Sequence, residues 1–193
     1  MRLNENTSLV GPRVTLIPYL KEHVEEYHGW MSDPTMQALT ASEPLSLVEE
    51  YEMQRSWHLD EDKLTFIVTV DQGKLIGDVN LFLSQDEDGS SKAECEVMIA
   101  VKGHQGKGLG KEALQMIILY ASKHLQISPF AFFAKIGMSN TPSLHLFQKL
   151  DFKEIGRSEV FQEVELRHAL GSFDWQVSFE EKPYKAEQSS TCT

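Results

Sequence analysis

The densest chemical signal in the 193-residue chain is Gly103-His104-Gln105-Gly106-Lys107-Gly108-Leu109-Gly110, four glycines in eight residues between an apolar run and a long amphipathic one. A helix N-terminus carries unpaired N–H groups and a partial positive charge. Glycines let that backbone approach an anion and adopt positive φ without strain. Strand, glycine turn and helix in that order make a cradle for a diphosphate, and Lys107 adds a cation beside it. A P-loop would need glycine at Gln105 and a hydroxyl at Glu112, so that pattern fails. A dinucleotide fingerprint read as Gly108-x-Gly110-x-x-Ala113 would need a parallel βαβ unit, whereas the residues before it read as an antiparallel meander. The pattern Gln/Arg-x-x-Gly-x-Gly/Ala is met in full by Gln105, Gly108 and Gly110. Loose glycines in a surface turn are the plainer alternative, which their density before a buried helix argues against.

A second set of candidates is acidic. Alternation over residues 93–101 puts Cys95, Val97, Ile99 and Val101 on one face and Glu94, Glu96 and Met98 on the other. Over residues 75–83 it groups Ile76, Asp78, Asn80 and Phe82 opposite Gly77, Val79 and Leu81. Pairing of the two strands through the 84–91 loop brings Asn80 near Glu96. A glutamate enclosed there has a raised pKa and is a candidate proton acceptor, with Asp78 and Asn80 as substrate or support residues. The competing reading is the solvated face of an antiparallel sheet. The seven histidines are scattered, none paired at i, i+4 with a flanking carboxylate, and Cys95 and Cys192 cannot build a zinc site. No metal is expected.

These residues need a scaffold. Residues 13–20 read as a strand with Pro18 at its end or on an edge. Residues 21–31 read as a helix, and Asp33-Pro34 restarts the chain. Residues 47–59 form a second helix, capped by Ser46 with Glu49 three positions on. Residues 64–70, 75–83 and 93–101 make the meander. The helix after the cradle runs to about His124, apolar enough to be mostly buried. Residues 130–136 are a strongly apolar strand. Thr141-Pro142 opens a further helix, Thr as cap. Residues 152–158 and 160–167 close the sheet. The pattern fades from Gly171. We therefore expect a single domain over residues 1–170 and an extension, 171–193, that is partly disordered. The fold class is α/β (α+β), a mixed, mainly antiparallel sheet flanked by helices.

Composition narrows the function. Net charge is −11, with 18 Lys and Arg against 29 Asp and Glu. Such a surface is ill suited to nucleic acid and suits a cationic partner such as an amine. No stretch reaches the ~18 apolar residues of a membrane span, and the first residues lack a signal peptide's apolar run. A cytoplasmic protein is expected, a nuclear one being compatible too.

The cradle and its context resemble the pyrophosphate-binding motif of the GNAT superfamily of acetyl-CoA-dependent N-acetyltransferases, over roughly residues 13–168. The blocks Thr40–Leu45, Gly77–Leu83, Glu96–Ala100, Ala134–Gly137, Val160–Val164 and Glu180–Tyr184 further resemble the N-acetyltransferase 9-like members of that superfamily. The resemblance implies a GNAT-like acyl-CoA N-acyltransferase fold and acetyl-CoA as co-substrate. It implies that the backbone of Ile99, Ala100 and Val101 holds the acetyl-pantetheine arm. The amides of Gln105, Gly106, Lys107, Gly108, Leu109, Gly110 and Lys111 would hold the pyrophosphate. Asn140 and Ser143 match the positions that line the cofactor, although turn and cap chemistry explains the same two residues. The acceptor implied is a protein or peptide amine, tubulin N-termini and microtubules being the suggested partners. Two departures stand out. Phe147 occupies the position where many members carry a proton-donating Tyr, and Asp151 stands where glycine is common. Phe147 keeps open an interaction protein that binds acetyl-CoA and microtubules without efficient catalysis. The acidity keeps open a small polyamine acetyltransferase.

Overall fold

The structure, a computed structural model, describes residues 2–71, 73–86 and 89–185. Its centre is β3 (Lys63–Val70), a β-branched and aromatic run buried along its whole length. The turn after it leads into β4 (Lys74–Gln85), and β5 (Ser91–Ile99) pairs back on β4. On one side the sheet continues through β2 (Thr15–Pro18) and β1 (Thr7–Val10) to β9 (Glu180–Pro183). On the other it continues through β6 (Phe132–Gly137) and β8 (Glu163–His168) to β7 (Phe152–Ser158). The order is β7-β8-β6-β5-β4-β3-β2-β1-β9. Among the described residues every pairing is antiparallel except β5 with β6.

Two helical layers cover the sheet. α1 (Val24–Met31), α2 (Pro34–Thr40) and α3 (Leu47–Leu59) contribute Val24, Tyr27, Met36, Trp30 and Trp57 to an aromatic cluster on Ile67 and Met98. α4 (Leu109–Leu125) and α5 (Thr141–Gln148) cover the opposite face, where Ala113, Met116, Ile117 and Phe147 join the main core. The caps follow from sequence. Ser46 and Glu49 bond each other's backbone N–H groups, and Asp33 accepts from Thr35 N–H at 2.8 Å ahead of Pro34. The α5 cap differs by one residue from expectation. Asn140, not Thr141, accepts from Ser143 N–H at 3.2 Å, and Pro142 then stands second in the helix.

Two further differences have physical reasons. The β3–β4 register shifts between Val68 and Thr69, so Ile76 leaves the face of Asp78 and Asn80 and is buried in the main core. The stretch after Gly171 lacks regular periodicity yet carries structure. Phe173, Trp175, Val177 and Phe179 pack on the main core, and residues 180–183 pair with β1. An edge strand made wholly of exposed residues has no apolar alternation to announce it. Residues 186–193, with Cys192, lie outside the described residues.

Candidate active site

The site begins where β5 and β6 part. They pair only at Ala93↔Phe132 and Glu94↔Phe133, so β5 runs on towards Ile99 beside a widening gap. At its end Ala100 N–H and Val101 N–H both donate to the Ile76 carbonyl, at 2.8 and 3.2 Å. Two donors on one acceptor make a bulge. Gly77 is required there, because a Cβ at that position would collide with the Met98 carbonyl. Main-chain groups alternate across an antiparallel pair. With Ala100 turned to β4, Ile99 turns its N–H and C=O to the gap. Its carbonyl there accepts from Gln105 Nε2 at 2.7 Å.

The cradle follows one turn later. Gly106 and Gly108 have φ of 69° and 78°, values that glycine adopts freely. Gly108 is the N-cap of α4. Gly110 meets a different demand: a Cβ there would lie 3.4 Å from Ile99 Cγ1 and 3.5 Å from Val97 Cγ2, so its absence lets α4 press against β5. Residues 105–108 are exposed while Leu109 and Gly110 are buried. The helix N-terminus thus presents its N–H groups to solvent beside the gap, with Lys107 and Lys111 in the same segment. That donor set fits a diphosphate, and the gap beside Ile99 fits an extended chain attached to it. Asn140 and Ser143 stand at the N-terminus of α5, where Asn140 serves as the cap. Phe147 is fully buried, its ring edge-on to Phe152 at 5.0 Å. Asp151 takes φ 64°, the left-handed conformation that glycine would fill.

The other face of the sheet carries the acids. The register places Asn80 directly across from Glu96, and Asp78 across from Met98. Thr65 Oγ1 donates to Asn80 Oδ1 at 2.7 Å, Asn80 Nδ2 donates to Asp78 Oδ2 at 2.7 Å, and Tyr27 Oη donates to the same oxygen at 3.4 Å. Burial pushes the Asp78 carboxyl up to about 6, against the pull of the Asn80 hydrogen bond, the Lys63 charge and Tyr27. Glu96 is exposed at the surface, not enclosed as alternation suggested, although its carboxyl lies close to the buried Lys63 and Asp78. Loss of water raises it to about 7; Lys63 opposes that, while Asp78 and Glu94 add to it. The arrangement can therefore accept a proton near neutrality. Lys63, which sequence reasoning missed, is buried with Nζ 3.2 Å from the centroid of Trp57 and 3.7 Å from that of Phe82. Burial lowers its pKa to about 8, held up by Glu96, Asp78 and Asp60. A lysine opening a strand reads as a solvent-facing end, and only the two rings across from it would have signalled otherwise. Arg13 was missed too: its guanidinium reaches the carbonyls of Lys107 and Gly108.

Comparison with known proteins decides the family. Residues 13–153 match the acetyltransferase (GNAT) domain. This chain belongs to the GNAT family. It is an acetyl-CoA-dependent N-acetyltransferase. The human alpha/beta-tubulin-N-acetyltransferase 9 is 44% identical over 210 residues, covering 100% of both chains. The Drosophila melanogaster protein of the same description is 48% identical, covering 91% of this chain and 92% of its own. The Vibrio cholerae spermidine N-acetyltransferase, solved with CoA and spermine, superposes with a TM-score of 0.69 at 22% identity, over 80% of this chain and 93% of its own. That last likeness concerns the fold. In this GNAT chain, then, the parted strands, the bulge and the glycine turn belong to one arrangement. Among the described residues no helix is long and apolar enough to cross a membrane.

Proposed function

We propose that the chain transfers the acetyl group of acetyl-CoA to the α-amine at a protein N-terminus, tubulin being the acceptor. In this reading the amides of residues 105–111 bind the linked phosphates. Ile99 lines the arm with its main chain, Ala100 and Val101 set the bulge that aims it, and Asn140 and Ser143 close its far side. The co-substrate supplies an acyl carbon made electrophilic by its bond to sulfur. An ammonium has no lone pair to offer, so its proton must leave first. Glu96 accepts that proton, directly or through one water, with Asn80 and Asp78 fixing its surroundings. Nitrogen then bonds to the acyl carbon, the carbon–sulfur bond breaks, and the second proton shed by that nitrogen passes through water to the departing thiolate. Phe147 has no proton to give, but a thiol of pKa near 8.5 can leave as thiolate.

The observation that carries this reading is the place of Glu96, an exposed carboxylate directly across from Asn80 on the strand that borders the gap, with burial of its surroundings raising it to about 7. The acceptor is supported by relatives that align over the full chain, the human alpha/beta-tubulin-N-acetyltransferase 9 among them. The acidic charge suits cationic acceptors generally, which is why spermidine belongs in the test. Mass spectrometry of acetyl-CoA reactions with tubulin N-terminal peptides, internal-lysine peptides and spermidine checks it, alongside calorimetry with CoA. N-terminal peptides alone should be acetylated, and Glu96→Gln should lose at least about 100-fold in turnover while still binding CoA. Preference for spermidine would overturn the acceptor. A second reading rests on the buried Phe147 ring: a CoA-binding microtubule-interaction protein, supported if the wild type binds CoA and acetylates none of the panel.

A further inference from the structure

We propose that Arg13 is a positioning residue for the cofactor cradle, locked by Glu112 and clamping the glycine turn from behind; the inference rests on the acetyl-CoA reading above. Arg13 lies in the turn between β1 and β2, where Gly11 N–H donates to the Val14 carbonyl at 2.9 Å. That turn is seated on α4, for a Cβ on Gly11 would lie 2.6 Å from Met116 Sδ. From there Arg13 Nη1 donates to the Lys107 carbonyl at 2.9 Å and Nη2 to the Gly108 carbonyl at 3.2 Å. Its Nε donates to Glu112 Oε2 at 2.8 Å. The Glu112 carboxylate, only 6% exposed, also accepts from Arg13 N–H at 2.8 Å and Val14 N–H at 3.1 Å through Oε1. Three donors satisfy it, so the fixed carboxylate orients a guanidinium that is itself half exposed.

The consequence follows from peptide geometry. A trans peptide points its C=O and the next residue's N–H in opposite directions. With the Lys107 and Gly108 carbonyls held towards the guanidinium, the N–H groups of Gly108 and Leu109 turn away from it, to the side where the phosphates bind. A Cβ on Gly108 would meet Arg13 Nη2 at 3.4 Å, so the guanidinium closes the rear of the turn. Without the clamp, Gly106 and Gly108 ahead of the helix regain conformational freedom that binding must remove, the Gly108 carbonyl keeping only its bond from Glu112 N–H at 3.2 Å. Only a planar fork can hold two neighbouring carbonyls and a carboxylate together. Arg13 touches no reacting atom in this scheme.

The test compares wild type, Arg13→Met and Arg13→Lys. CoA binding is read by calorimetry, and pantetheine, which lacks the linked phosphates, by NMR titration. Thermal melts confirm that each variant is folded. Arg13→Met should bind CoA about 10–100-fold more weakly, the span expected for losing hydrogen bonds to a charged donor. Arg13→Lys, keeping the charge without the fork, should fall between. Pantetheine binding should not change, and kcat at saturating acetyl-CoA should stay near wild type while KM rises. Loss of CoA and pantetheine binding to the same degree would mean a general structural role and overturn the proposal. So would CoA affinity in Arg13→Lys equal to wild type, a readout that stands if Arg13→Met fails to fold. Absence of CoA binding by folded wild type would instead end the acetyl-CoA reading on which the proposal rests.

Discussion

Glu96 can take a proton only when ionised, so its raised pKa fixes a direction. With the carboxyl at about 7, kcat/KM should rise with pH through that value and level off above it. In Glu96→Gln that limb should vanish from the pH–rate profile. Asp78 gives a stability prediction. Its carboxyl sits at about 6 when folded, above the ~3.9 of an unfolded chain. Between those values the folded state holds the proton more tightly, so stability contributed by this group falls as pH rises from about 4 to 6, and the penalty stays above that. Asp78→Asn keeps an acceptor for Tyr27. It should gain roughly 1–3 kcal/mol over wild type at pH 7.5 and lose that advantage at pH 4, checked by urea denaturation at both pH values. Sequence alternation did place Asn80 opposite Glu96, because a two-residue period and one short loop determine that contact. It could not show Lys63 between Trp57 and Phe82, nor Arg13 on Glu112, because those contacts join elements distant in the chain.

At the level of elements the cradle depends on how closely β4, β5 and α4 approach. Gly77 sits against the Met98 carbonyl with no room for a methyl group. Gly77→Ala must open the bulge, at a cost of about 1–3 kcal/mol, and should displace Ile99 enough to reduce turnover more than CoA affinity. Kinetics and calorimetry on one preparation separate the two. The glycine turn, the meander and the α3 cap were legible because each rests on neighbouring residues: glycine spacing, alternation, and Ser46 with Glu49. The one-residue shift of the α5 cap, and the passage of Ile76 to the main core, were not. Asn and Thr are both favoured caps and stand side by side here, and a bulge leaves no mark in an apolar run.

For the molecule as a whole, residues 173–183 tie the two margins of the sheet together. Phe173 and Trp175 lie tilted against each other, ring centroids 4.6 Å apart, beside His168, and Glu181 bonds Lys123 and His124 at the end of α4. Trp175→Ala should cost about 2–3 kcal/mol, below the usual cost for a core aromatic because the ring is half-buried. A melting point lower by roughly 5–10 °C would register it, with CoA affinity little changed since the ring lies away from the cradle. Acidic charge and family were readable from composition and motif, but this strap was not, its aromatic spacing matching neither helix nor strand.

Thr7 meets Pro183 across β1 and β9, so most of the described residues intervene between partners in a single ladder. A chain leaving the ribosome must wait for β9 before β1 acquires its second neighbour. Closing so large a loop is slow, and until it closes the exposed flank of Leu9 is open to any passing strand. A lesion in residues 180–183 leaves the β1 edge unpaired and open to other chains.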